Sequence, residues 1–391
     1  MTKEPFTIAI PEETLTDLRE RLAKTRWPRD FANDQWQYGT NSAYLKELVD
    51  YWVHKYDWRK HEREINTFSH YKTVIEGMPI HFIHQPGKGS KLMPIILNHG
   101  WPWTFWDLHK VIRPLADPAA FGGDPADAFD VIVPSLPGYG FSSPLNTPGI
   151  NYWRTADLWV TLMQDVLGYK KFAAQGGDWG AAIVAQLGHK YADRVIGIHT
   201  HMMFPLNAFA APLTTMLDQS HYGPDEKGWY ERSMHFFTAE AGYVALQTTK
   251  PQTLAYGLND SPAGLCAWIL EKRRTWSGCD GDVEKAFTKD ELLTVMTIYW
   301  VSQSFGASAR YYYEAAHNLW RPSHNRTPVI EAPTGVAVFP KDIVLLPRSW
   351  AEKYYNLKRW TVMPSGGHFA AMEEPQRLVD DMRAFFRPLR N

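Results

Sequence analysis

The segment Gly176-Gly177-Asp178-Trp179-Gly180 has the order small residue, any residue, nucleophile, any residue, small residue. It lies between a strand-like run and the alanine-rich, helix-like run that begins at Ala181. A nucleophile elbow of this kind turns so tightly that bulky side chains two positions either side of its centre would clash, and Gly176 and Gly180 meet that demand. The central residue is aspartate rather than serine or cysteine. A carboxylate attacking an ester or amide carbonyl would form an anhydride that reverts. Against an electrophilic sp³ carbon, in an epoxide or bearing a halide, it forms an ester. Taken alone, Gly-Gly-Asp also reads as a turn in which aspartate caps a helix. The flanking elements and the partner residues favour the nucleophile.

His368, in Ser365-Gly366-Gly367-His368-Phe369, follows the last strand-like run and precedes the last helix-like one, which completes the chain order nucleophile, acid, histidine. The acid should follow one of the preceding core strands. After the run Val195–Thr200 no acidic residue occurs before Asp218, whereas Pro340-Lys341-Asp342 directly follows the run Gly335–Phe339. Asp342 is therefore the candidate to accept a hydrogen bond from His368, fix its tautomer and stabilise the imidazolium. His99-Gly100-Trp101-Pro102 follows the strand expected beside the elbow strand. There the backbone N–H groups of Trp101 and Trp179 would form an oxyanion hole.

These residues need strand ends to hold them. Short apolar runs at Pro94–Asn98, Phe129–Pro134, Lys171–Gln175, Val195–Thr200, Gly335–Phe339 and Trp360–Met363 alternate with helix-sized segments, which predicts βαβ units and a mostly parallel α/β sheet with helices on both faces. Two further strands are expected at Ile65–Tyr71 and Thr73–His84, around Glu76-Gly77. Helices are expected at Glu12–Arg26, at Ser42–Tyr56 and at Pro375–Phe386. Residues 204–320 break the strand rhythm and read as a helical cap inserted above the sheet, where a lid belongs. The expected organisation is thus a helical extension over 1–60, a core over 61–203 and 321–391, and a cap over 204–320.

Composition narrows the function class. The 391 residues carry 41 Lys+Arg against 42 Asp+Glu, a net charge of −1, which argues against electrostatic binding of nucleic acid or of a membrane surface. Two cysteines, Cys266 and Cys279, are expected to be reduced thiols, and no zinc-type spacing exists, so neither metal nor cofactor is expected. No signal-peptide pattern and no run of ~20 apolar residues is present, which points to a soluble, cytoplasmic protein. Aromatic residues make up 14% of the chain, with 17 tryptophans, a hint of extra apolar surface to cover.

Taken together, Thr25-Arg26-Trp27-Pro28, His99-Gly100-Trp101-Pro102, Pro134 to Ser142, Gly176 to Gly180, Leu258 to Leu265, Pro333-Thr334-Gly335 and Gly366 to Ala371 run through nearly the whole chain. Through them it resembles the epoxide hydrolases of the α/β-hydrolase fold, more closely the microsomal-type branch with an N-terminal extension. The resemblance implies a small-molecule epoxide substrate, a covalent alkyl-enzyme ester on Asp178, and its hydrolysis by water that His368 and Asp342 activate. It implies two tyrosine acids in the cap, matched here by Tyr243 in Ala241-Gly242-Tyr243 and Tyr312 in Arg310-Tyr311-Tyr312-Tyr313. Trp103, Phe141 and Phe369, in or beside the matching motifs, are expected to line the substrate pocket. The N-terminal helices are expected to wrap the core and brace the lid. Many microsomal relatives carry glutamate where this chain has Asp342, and the membrane anchor of the mammalian relatives is not expected here. A homodimer is left open. The rival readings are a haloalkane dehalogenase using the same aspartate, and a non-catalytic binding protein on the same scaffold.

Overall fold

The computed structural model describes residues 2–211 and 217–390. Among these, one sheet holds β1 (Glu4–Phe6), β2 (His70–Ile75), β3 (Met78–Gln85), β4 (Met93–Asn98), β5 (Phe129–Pro134), β6 (Phe172–Gly176), β7 (Val195–Thr200), β8 (Ile330–Val338) and β9 (Tyr355–Val362). Their spatial order is β1-β2-β3-β5-β4-β6-β7-β8-β9. The pairings from β1 to β5 are antiparallel. Those from β5 across to β9 are parallel. This is the α/β-hydrolase fold.

The apolar runs sort onto two faces by the two-residue period of a strand. Ile96, Ile132, Ala174 and Ile198 join one core, with Ala156 and Trp159 of helix Tyr152–Thr161 and Ile183 and Leu187 of helix Trp179–Lys190. Ile95, Leu97, Val131, Val133 and Ala173 join the other, with Val111 and Ile112 of helix His109–Ala116 and Leu378, Val379 and Met382 of helix Pro375–Phe386. Strands covered on both faces read as unbroken apolar runs, which is why the central ones were visible in the sequence.

The edge of the sheet departs from expectation. The strand expected over 65–71 is instead the end of helix Trp58–Ile65 followed by a link, and β2 begins only at His70. Trp58, His61, Glu62 and Ile65 recur with helical spacing and turn one buried face inward, so Ile65 closes a helix rather than opening a strand. The three-residue β1 lies in the segment expected to be helical. It pairs Phe6 with His70 at the sheet edge, where Pro5 is tolerated because it needs to donate no ladder hydrogen bond. The first helix stops at Ala23 rather than Arg26, and the Thr25 hydroxyl donates back to the Leu22 carbonyl at 2.8 Å.

Between β7 and β8 the described residues form helices and no strand, among them Gly242–Thr249, Pro262–Trp276, Lys289–Val301 and Phe305–His317. Residues 212–216, within the expected cap, lie outside the described residues. The N-terminal helices are tied to these inserted helices by polar contacts. Trp52 donates its indole N–H to Thr297 at 3.2 Å, Tyr51 its hydroxyl to Asp290 at 2.9 Å, and Arg21 pairs with Asp260 at 2.6 Å. Among the described residues no helix is long and apolar enough to cross a membrane. Cys266 and Cys279 are both free and buried.

One buried ion pair ties the insertion to the core. Arg273, on helix Pro262–Trp276, donates to Asp107 at 2.6 Å and to the Pro102 carbonyl at 3.0 Å, and its guanidinium lies 4.1 Å from the centre of the Phe369 ring. Both charged groups are almost completely buried. Removing one partner of such a pair strands the other charge, so Arg273→Met should cost about 3–5 kcal/mol of stability, read as a lower urea midpoint. A loss below about 1 kcal/mol, the range of an exposed pair, would show that the contact does not hold the insertion down.

Candidate active site

β6 ends at Gly176 and the next helix starts at Trp179, which leaves two residues to reverse the chain. Asp178 takes φ 51° and ψ −126°, a conformation that side-chain-bearing residues rarely adopt and that functional sites tend to retain. The glycines around it are set by close approach. A Cβ on Gly176 would lie 2.4 Å from the Gly180 carbonyl, and one on Gly180 would lie 2.3 Å from the Asn98 oxygen. A Cβ on Gly100 would meet Asp178 itself at 2.3 Å, a constraint the elbow pattern does not contain.

Asp178 is 7% exposed, and each of its oxygens has a different environment. Oδ1 accepts from the backbone N–H of Trp101 at 2.8 Å and of Trp179 at 2.7 Å. Oδ2 lies 3.2 Å from His368 Nε2. On its other side His368 Nδ1 lies 2.7 Å from Asp342 Oδ1, which also accepts from the Ile343 N–H at 2.6 Å. Burial disfavours a charged His368, but the carboxylates of Asp342 and Asp178 outweigh it and raise its pKa to about 9. With Asp342 on Nδ1, the Nε2 position faces Asp178.

His368 owes its place to contacts that no motif announces. Its own N–H donates to the Trp276 carbonyl at 2.9 Å. The Glu373 carboxylate accepts from the N–H groups of Gly278 at 2.6 Å, Gly367 at 3.0 Å and Phe369 at 2.9 Å, which staples the histidine loop to the end of the inserted helix. Buried His99 donates from Nδ1 to the Gly100 carbonyl and accepts the Leu136 N–H on Nε2, each at 3.0 Å. Burial lowers its pKa to about 4, so it holds the Trp101 turn as a neutral imidazole.

Asp178 and Trp179 form part of the wall of a cavity of about 500 Å³ that Tyr243 and Tyr312 also line, with Phe209, Phe236, Val244 and Ile343 among its apolar residues. The two phenol rings meet edge to face at 5.7 Å. Trp101 stacks on Tyr243 at 4.8 Å, and Trp179 meets Tyr312 edge-on at 4.6 Å. Burial, reinforced by the Asp178 carboxylate, pushes both phenols well above their ordinary pKa, so they stay protonated. The tyrosine run is sorted by its helix. Tyr311 turns into the core and bonds Thr155 at 2.8 Å, Tyr313 stacks on His317 near the surface, and Tyr312 alone of the three lines the cavity.

Three expected pocket residues do not line this cavity. Trp103 stacks on His201 at 5.7 Å and meets His368 edge-on at 5.3 Å, supporting the histidine from behind. Phe369 packs between His368 and the Arg273 guanidinium. Phe141 belongs to the core on the opposite face of the sheet, against Phe6, His81 and Phe105. Closeness to a motif in sequence did not place these rings on the cavity side of the backbone. The Arg273–Asp107 pair, the Glu373 contact to Gly278 and the approach of Gly100 to Asp178 were not anticipated, because in each the two partners are distant in sequence.

Two family descriptions match the chain: "Epoxide hydrolase N terminus" over residues 3–108 and "alpha/beta hydrolase fold" over residues 93–230. Epoxide hydrolase 1 of Oryctolagus cuniculus is 38% identical, over 97% of this chain and 88% of that protein. The juvenile hormone epoxide hydrolase of the silkworm Bombyx mori has the same fold with a TM-score of 0.88 and 30% identity, over 99% of this chain and 95% of that one. For the Aspergillus niger epoxide hydrolase the TM-score is 0.85 and the identity 29%, over 100% of this chain and 97% of that one. With this likeness extending through the N-terminal segment, the sheet and the insertion alike, the chain belongs to the epoxide hydrolase family.

Proposed function

We propose that this epoxide hydrolase converts an epoxide and water to a vicinal diol in two steps, through an ester on Asp178. The supporting observation is the division of labour at one carboxylate: Oδ1 lies in a pair of backbone N–H groups and Oδ2 faces His368, in a cavity shared with two phenols. Oδ2 attacks an epoxide carbon. As that C–O bond forms and the ring C–O bond breaks, Tyr243 and Tyr312 hold the ring oxygen and supply its proton.

Oδ1 is then the ester carbonyl oxygen, already seated between the N–H groups of Trp101 and Trp179. Water adds to the ester carbon and gives its proton to His368, while the two N–H groups stabilise the oxyanion. Collapse returns the proton to the departing diol oxygen. The water oxygen remains in the Asp178 carboxylate. Esterification removes one of the two negative charges that keep His368 protonated, so its pKa falls below about 9 just when a neutral imidazole is required. The cavity's aromatic and aliphatic walls suit a largely apolar epoxide.

Four outcomes test this reading. With styrene oxide the protein should release diol, and with 1-chlorobutane no halide; halide without diol would make it a dehalogenase. In a single turnover in ¹⁸O-water the first diol should carry the enzyme's ¹⁶O, and solvent oxygen in that diol would rule out an ester on Asp178. His368→Gln should still form the alkyl-enzyme ester and then stall, with ester hydrolysis slowed by about 10²- to 10⁴-fold. The mass of one substrate molecule should then be found on the peptide containing Asp178. The kcat for ester hydrolysis should decline as pH falls, because protonating His368 removes the base, with a midpoint below about 9. A kcat that held constant down to pH ~4 would remove His368 from that role.

A further inference from the structure

We propose that Lys272 is a positioning residue for the ring-opening step, holding an ammonium charge beside the aromatic ring of Tyr243 so that the phenol gives up its proton more readily. The proposal rests on the reading of Tyr243 as an acid toward the epoxide oxygen.

Lys272 lies on helix Pro262–Trp276, and only 4% of its side chain is exposed, a burial lysine seldom tolerates without a purpose or a partner. Its Nζ is 5.5 Å from the centre of the Tyr243 ring, 5.4 Å from that of Trp268 and 6.0 Å from that of Trp276. Trp268, Lys272 and Trp276 are successive i, i+4 neighbours on one face of the helix. The ammonium is thus enclosed by three ring systems. Its ion partner is Glu271 at 2.8 Å, a carboxylate still partly open to solvent. The neighbouring cation Arg273 is committed to Asp107 and Pro102. A buried charge with one partly exposed partner and three aromatic rings is not required for packing, since methionine would fill a similar volume.

The charge matters because of what else faces Tyr243. The carboxylate of Asp178 lies across the cavity, and the phenol of Tyr312 meets its ring. Both burial and Asp178 favour the neutral phenol, which secures its proton in the resting state but opposes its release. During ring opening the proton moves to the epoxide oxygen, negative charge grows on the Tyr243 ring, and solvent restores the proton afterwards. An ammonium at 5.5 Å stabilises that growing charge and has far less effect on the neutral phenol. It is therefore felt more strongly in the transition state than in the resting complex, the condition for raising a rate.

Stopped-flow measurement of the two steps with styrene oxide tests the proposal. Lys272→Met should slow ester formation by roughly 10- to 30-fold, the rate equivalent of the ~1.4 to 2 kcal/mol of a desolvated cation–π contact. It should leave ester hydrolysis within about twofold, and Lys272→Arg, which keeps a cation against the ring, should recover most of the loss. In a Tyr243→Phe background, Lys272→Met should cause no further slowing, whereas in Tyr312→Phe its effect should persist. Equal slowing of both steps, or full additivity with Tyr243→Phe, would overturn the role of Lys272 while leaving the two-step reading intact. If Tyr243→Phe alone formed ester at the unmodified rate, the acid role of Tyr243 would fail and the proposal with it. Should the methionine variant not fold, Lys272→Gln gives the same readout.

Discussion

The two backbone N–H bonds to one oxygen of Asp178 are the contact around which this architecture is arranged. They come from different loops, at the ends of β4 and of β6, and meet because those strands are parallel neighbours with Asn98 opposite Gly176. Parallel strands release their loops at the same edge of the sheet, so a residue after one can reach a residue after the other. The approach is close enough that Gly100, Gly176 and Gly180 leave no room for a Cβ. The positive φ of Asp178 is the local cost of presenting a carboxylate at that junction, and two apolar cores hold the strands in place against it.

The remaining chemistry is divided between two parts of the chain. The core carries the carboxylate, the imidazole and the two N–H donors. The insertion carries the phenols and, beside them, Lys272. On the proposed mechanism the two parts act on one substrate, so their relative placement has to be fixed. Arg273 fixes it through Asp107 and Pro102, next to the Trp101 turn, and Glu373 fixes it through the histidine loop. Arg273 and Asp107 are buried and Glu373 half-buried in a largely apolar interior, where an unmet charge is heavily penalised and a met one has few alternative positions.

The legibility of this site in the sequence followed the range of the constraints. Asp178, Asp342 and His368 stand at strand ends in a fixed chain order, and local pattern exposes such positions. The central strands were readable because burial on both faces makes them apolar throughout. Ile65 misled because its β-like neighbours are local, whereas the helical series that claims it reaches back to Trp58. Phe141 misled because the face of the sheet on which a ring falls depends on the path of a loop. Arg273, Glu373 and Lys272 are ordinary polar letters in sequence. Each acquires its meaning from a partner brought close by folding: Asp107 for Arg273 across 166 residues, Gly278 for Glu373 and Tyr243 for Lys272.

The ties between the N-terminal helices and the insertion carry a consequence for biogenesis. Tyr51 finds Asp290 239 residues later, and Trp52 finds Thr297 245 residues later. At about 5–20 residues per second of synthesis, the first helices wait roughly 10–50 seconds for the surface that receives them. Through that interval the apolar face that includes Leu18, Leu22, Leu48 and Trp52 lacks its native cover. Contacts of such span also make assembly slow in general. These helices therefore meet their native partners only after a long further stretch of chain has been synthesised.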